Sequence, residues 1–171
     1  MMQKKIYSFV LLSTALWCLA IIMAPLLKSH GGDVGNHAAD VLYFGFSRIC
    51  HQFDSRSIHL FGAKLGVCVR CSSIYLSFLA GLLIVPQVRR GGPRSIPGSL
   101  WLLAGIAPMA LDALLNDLGI LLSTDVSRII TGSLAGVVLS FFILPLLTEA
   151  ITQIFVHRNL PGDTRYAGKT E

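Results

Sequence analysis

Apolar residues run almost without interruption over residues 6–27, 70–88, 99–119 and 126–148. Each stretch is about the ~20 residues that a helix needs to cross a bilayer. Between the first two the pattern changes. Residues 29–36 are rich in glycine and polar side chains and predict a turn, with Asn36 suited to cap the next helix. Ala38, Val41, Leu42, Gly45, Phe46 and Ile49 then recur at helical spacing, which predicts an amphipathic helix over 37–49, too short to span. Residues 50–71 form a loop, residues 118–125 a short acidic turn, and 151–171 a polar tail that begins as helix. The fold expected is therefore an all-α, polytopic membrane helical bundle. It has four transmembrane helices plus one short amphipathic or partly embedded helix, with residues 1–150 as a single transmembrane domain.

Composition agrees with that pattern. Hydrophobic residues make up 53% of the 171, charged residues 13%, and the mean hydropathy is +0.67. A soluble domain carries about a quarter of its residues charged. The formal net charge of +5 does not require a nucleic-acid partner, because basic residues placed on cytoplasmic loops produce the same excess. The expected partner is the lipid bilayer, nucleic acid is excluded, and a homo-oligomer is left open. Lys4 and Lys5 before the first apolar run look like the start of a signal peptide. The run is too long for one and has no small-residue cleavage site, so an uncleaved first span is expected, with Cys18 a buried thiol.

Basic residues also orient the chain. Lys4 and Lys5 precede the first span, Arg89, Arg90 and Arg94 follow the second, and Arg158, Arg165 and Lys169 follow the fourth. With four spans all three groups fall on one side, which the positive-inside rule makes cytoplasmic. The expectation is a multi-pass protein of the cell (inner) membrane with both termini cytoplasmic and the 50–71 loop outside.

That loop holds the chemistry. Cys50, Cys68 and Cys71 lie in it, with His51 and His59 alongside. Cys68 and Cys71 stand three apart at a helix start, so both thiols can face one side. With Cys50 and His51 they form a ligand set of the types that suit a tetrahedral zinc or similar transition-metal site. The same atoms support two other readings. Three thiols outside the cytoplasm allow one disulfide and one leftover thiol, the minimum for a thiol-disulfide oxidoreductase relay. A metal or disulfide staple without catalysis is the third. A helix N-terminus and Arg70 both favour thiolate, which helps metal binding and redox chemistry equally. His37 or His59 could replace His51 as a ligand.

Two spans carry charge near their outer ends. Asp112 and Asn116 are one turn apart, and a carboxylate within a span costs about 2.5–3.5 kcal/mol on insertion scales, so Asp112 should face the bundle interior with a partner. Asp112 lies roughly 10 Å deep at the helical rise, within reach of an outer-surface site. Arg128 opens the fourth span; it either snorkels to water, pairs with Asp112 or holds an anionic group. Gly132 and Gly136 predict close helix packing.

Cys50-His51-Gln52, Arg56-Ser57, Cys68-Val69-Arg70-Cys71 with Ile74-Tyr75, Pro108 with Asp112, and Arg128 with Thr131-Gly132 and Gly136 resemble the small predicted membrane proteins grouped as domain of unknown function 2085. The resemblance covers about residues 36–140. It implies that Cys50, His51, Cys68, Cys71, Asp112 and Arg128 belong to one site. The chain departs from the usual pattern at Ser73 and Ala113, where glycine is frequent, and at Asn116, where glutamine is common. The expected function is thus an integral membrane protein with a Cys/His metal site at the extracytoplasmic end. As an enzyme it would act on a lipid-like or anionic substrate, with Asp112, Arg128 and Asn116 as catalytic residues.

The orientation has a direct check. A reporter active only outside the cytoplasm should be silent when fused after Gly92 and active when fused after Ser123; the opposite result inverts the topology.

Overall fold

The computed structural model describes residues 2–88 and 98–159. Arg89, Arg90 and Arg94, and Arg165 and Lys169, on which the orientation rests in part, lie outside them. Among the described residues the chain is an all-α bundle of five helices: α1 (Met2–His30), α2 (Gly32–Ser47), α3 (Val69–Val88), α4 (Ser99–Asp117) and α5 (Asp125–Asn159). Four of them, α1, α3, α4 and α5, are long and apolar enough to cross a membrane. A two-stranded antiparallel hairpin, β1 (His59–Leu60) and β2 (Ala63–Lys64), pairs His59 with Lys64 and Leu60 with Ala63.

The four predicted spans appear with small changes at their ends, and α5 continues into the expected tail as far as Asn159. The connector and the short helix need correction. The break between α1 and α2 is confined to Gly31 and Gly32, so α2 begins five residues earlier than expected and Asn36 lies inside it. Gly31 permits this sharp reversal because a Cβ there would sit 2.5 Å from both Leu27 O and Gly35 Cα, while Gly32 adopts φ +55°. α2 therefore folds back along α1. Its buried residues Gly35, Ala39 and Phe46 form the packed face, and Phe46 meets Trp17 edge-on at 5.2 Å.

α3 and α5 run side by side in the same direction and approach at the backbone. A Cβ on Gly136 would fall 2.3 Å from Ile74 O, and one on Gly132 would fall 2.9 Å from Arg70 O. Small residues allow this close approach where there is no water to drive helices together. α4 packs on the other side of α5, with Gly105 against Val138. Its C-terminus closes in a Schellman turn: Gly119 takes φ +71°, its N–H bonds Asn116 O at 3.2 Å, and Ile120 N–H bonds Leu115 O at 3.0 Å. α1 completes the bundle against α3, where Tyr7 Oη donates to Leu82 O at 3.1 Å.

The α3–α5 contact generates a stability prediction. Gly136→Ala drives a methyl group into the Ile74 carbonyl and should lower thermal stability in detergent by about 1–3 kcal/mol. Gly45→Ala, with no neighbouring atom within 4 Å of the new Cβ, should be neutral or stabilising. Parallel melting curves by fluorescence-detected gel filtration decide it; equal behaviour of the two variants would remove the close-packing account.

Candidate metal centre

Cys50 follows the last turn of α2, where its own N–H still bonds Phe46 O at 3.0 Å. The chain then reverses through Gln52, a buried residue held at φ +51°. Left-handed backbone at a non-glycine residue persists only where surrounding contacts hold it. Here they do: the Gln52 side-chain amide donates to Tyr43 O at 2.9 Å and to Gly66 O at 2.8 Å, while Lys64 Nζ donates to Gln52 O at 3.0 Å. Tyr43 Oη donates to Lys64 O, and Gly66 N–H reaches Ile21 O at 3.3 Å. The outgoing and returning limbs of the loop are thus tied to each other and to α1 and α2.

The result is a cluster of sulfurs. Cys68 immediately precedes α3, Cys71 sits in its first turn, and the Cys68 N–H donates to Cys50 Sγ at 3.2 Å. The Sγ atoms of Cys50, Cys68 and Cys71 all lie within 4.8 Å of one another, and all three are free thiols. A tetrahedral zinc with Zn–S bonds of about 2.3 Å needs sulfurs about 3.8 Å apart, so small side-chain adjustments would close the three around an ion. Cys50 is already prepared for it. Hydrogen bonds from the Cys68 thiol first, then the Cys71 thiol, hold the Cys50 thiol well below the usual thiol range, against the opposing effect of burial.

The cluster lacks the histidine expected in it. His51 stands outside the sulfur cluster: it is exposed, and its ring stacks on Phe53 with centroids 5.6 Å apart. Adjacent side chains diverge where the chain turns at Gln52, so Cys50 and His51 point to different places. His59 pairs with Asp54 at 3.2 Å, and His37 is exposed on α2. Neither joins the sulfurs.

Asp112 and Arg128 do not face each other either. Asp112 forms an ion pair with Arg70, accepts from Ser127 Oγ at 3.0 Å, and its carbonyl accepts from Ser123 Oγ at 3.1 Å. Arg128 is only 8% exposed and pairs with Asp125, three residues earlier, at 3.1 Å. Asn116 Oδ1 accepts the Ser123 N–H at 3.1 Å and so fastens the α4–α5 turn. The physical reason is register: Arg70, between the two cysteines, projects from α3 toward α4 at the level of Asp112 and reaches the carboxylate first. Arg70, which sequence reasoning credited only with favouring thiolate, and Gln52, to which it gave no role, are the partner of Asp112 and the loop fastener. Arg70 had a visible signal, since it lies within Cys-x-Arg-Cys, whereas nothing local marks the partners of Gln52.

A cavity of about 330 Å³ opens beside the cysteines. Its walls include Cys50, Cys68 and Cys71 together with His51, Arg56, Arg70, Asp117 and Arg128. Arg70 Nε is buried and has no hydrogen-bond partner among the described residues. Asp112 lines a separate cavity with Leu115, Leu121 and Leu122 on the α4–α5 side.

The Arg70–Asp112 pair predicts a double-mutant signature. Asp112→Leu alone strands a guanidinium whose side chain is only 20% exposed and should destabilise by about 3–5 kcal/mol. Arg70→Met and Asp112→Leu combined should recover much of the loss that each shows as a single variant. Melting temperatures of the four proteins check it; an additive pair of losses would mean that Asp112 does not act through Arg70.

Residues 50–142 match the family described as "Predicted membrane protein (DUF2085)", a stretch that begins at Cys50 and takes in Cys68, Cys71, Asp112 and Arg128. An uncharacterized protein of Methanocaldococcus jannaschii, MJ1492, is 36% identical over 156 residues, 90% of this chain and 99% of the relative. No solved structure matches the chain. With four helices apolar enough to span and a match over most of the sulfur-bearing core, the chain is a multi-pass membrane protein that belongs to the DUF2085 family.

Proposed function

We propose that this protein holds one soft transition-metal ion, of the zinc type, on the thiolates of Cys50, Cys68 and Cys71. The observation that carries the reading is the convergence of three unbridged sulfurs within 4.8 Å, contributed by two separate segments that a dedicated set of loop hydrogen bonds brings together. Soft thiolate ligands select zinc, copper(I) and similar ions over magnesium or calcium.

Because His51 is stacked on Phe53, three protein ligands leave the fourth position to a molecule from the adjoining cavity. Open positions distinguish zinc sites that bind or transform ligands from closed structural ones. When bound there, the ion supplies Lewis acidity and an acidified water. Arg128, on the cavity wall, suits an anionic group on a lipid-like substrate, the class of ligand that reaches a site in the bundle from the membrane. In this reading Asp112 and Asn116 are positioning residues: Asp112 steadies the Cys68–Cys71 turn through Arg70, and Asn116 steadies the turn that carries Arg128.

A thiol-disulfide relay is the second reading, favoured by the Cys68 N–H on Cys50 Sγ and by three free thiols within 4.8 Å of one another. Elemental analysis of detergent-purified protein with parallel thiol counting separates the two. About one metal per chain, three cysteines unreactive until a chelator is added, and loss of the metal in Cys50→Ser support the metal centre. A metal-free protein with a disulfide among Cys50, Cys68 and Cys71 that exchanges with a partner thiol assigns the site to redox chemistry.

A further inference from the structure

Three helices independently set the depth of the sulfur cluster. On α1, Ile21 packs with Phe46 and Cys50, and its carbonyl accepts the Gly66 N–H; Ile21 lies seven residues before Lys28. On α5, Gly132 lies against Arg70 O and so marks the level of the first turn of α3, seven residues after Asp125. On α4, Asp112, which reaches Arg70, lies five residues before Asp117. At about 1.5 Å per residue these place the three sulfurs about 8–10 Å inward from the plane that Lys28, Asp117 and Asp125 mark. The opposite charged ends agree with that plane: Lys4 and Lys28, and likewise Asp125 and Glu149, stand 24 residues apart. That is about 36 Å of helix, enough for a hydrocarbon layer of about 30 Å between them.

α2 descends through the same depth. Gly35 lies against Leu27 O near the top, and Phe46 meets Trp17 near the bottom. Away from α1, Val41 and Phe44 are 69% and 64% exposed, at the level where Leu19 and Ile22 of α1 are also exposed. Asp40 and Arg48, the charges that flank this stripe, each have a contact while their side chains stay exposed. Lys28 Nζ holds Asp40 at 2.7 Å, and the Arg48 guanidinium lies back over the Phe44 ring at 4.9 Å, toward the start of the helix and the charged plane.

We propose that α2 is a re-entrant segment whose outward stripe of Val41 and Phe44 contacts the acyl chains of the host bilayer. The three-cysteine centre is then an intramembrane site reached from the headgroup level, and not part of an aqueous loop. The occupant of the stripe is lipid because the stripe continues, at one depth, the lipid-facing surface of α1, and because both flanking charges are neutralised or turned toward the surface. This placement of α2 holds whatever the cysteines bind.

A genetically encoded fluorescent amino acid placed singly at Val34, Val41 or Phe44 of the full chain, reconstituted in phosphatidylcholine–phosphatidylglycerol vesicles, reads this directly. Val41 and Phe44 are both exposed and lie off the packed face; Val41 is the primary reporter, since the Phe44 variant also removes the ring under Arg48. At both positions nitroxide on the acyl chain should remove most of the fluorescence and aqueous iodide almost none, while at Val34, level with Lys28, iodide should quench strongly. Iodide quenching at Val41 and Phe44 equal to that at Val34 would overturn the proposal in favour of an extramembrane cap. Protection from both quenchers, with energy transfer between labelled copies that is lost on dilution with unlabelled protein, would overturn it in favour of a second copy of the chain.

Discussion

The ion pair between Arg70 and Asp112 is the interaction on which the arrangement of this bundle end depends. Neither charge could remain alone where water is scarce, and each would cost several kcal/mol without a partner. Their union fixes α3 to α4. Ser127 Oγ on the same carboxylate and Ser123 Oγ on the Asp112 carbonyl extend the link to α5 and to the turn before it. Since Arg70 stands between Cys68 and Cys71, whatever holds its guanidinium also sets the rotation of the first turn of α3. The two sulfurs face Cys50 as a consequence.

A second set of contacts brings Cys50 to meet them. Residues 48–68 leave the end of α2 and return to the start of α3, and a loop of that length would not by itself hold two sulfur positions to within a few ångströms. Gln52 removes the freedom. Its left-handed backbone reverses the chain, and its amide closes the gap between Tyr43 and Gly66. The hairpin tip at Phe61 and Gly62, both at positive φ as a two-residue turn of this hand requires, sends the chain back toward α3. The same reversal that delivers Cys50 turns His51 outward, which is why the metal reading loses one ligand and gains an open position.

Close packing of α3 on α5 supplies the remaining constraint. Gly132 and Gly136 let the α5 backbone approach that of α3 near Arg70 and Ile74. Arg128, one turn before Gly132, is thereby held at the edge of the cysteine cavity, buried and tied to Asp125. A larger residue at either glycine would move the guanidinium away from the sulfurs without touching it.

Much of this was legible in the sequence because the signals are local. Hydropathy over about 20 residues marks a span wherever it occurs, so α1, α3, α4 and α5 were readable with ends correct to a few residues, apart from the extension of α5. Residue type marked Cys50, Cys68 and Cys71 as candidate soft ligands, and their sulfurs do lie within 4.8 Å of one another. Pairings across the bundle were not legible. That Asp112 meets Arg70 and not Arg128 depends on the relative rotation and height of α3, α4 and α5, which no single helix encodes. The same holds for α2: an amphipathic pattern states that a helix has an apolar face, but the sharpness of the reversal at Gly31 and Gly32 decides that the face is laid against α1. Sequence by itself determined which residues are apolar enough to span and which side chains are chemically capable of binding metal or bearing charge, because those are properties of single side chains and short windows. Tertiary structure alone decided which charges neutralise each other and which sulfurs converge, because a buried charge or donor takes whichever partner the packing brings within reach.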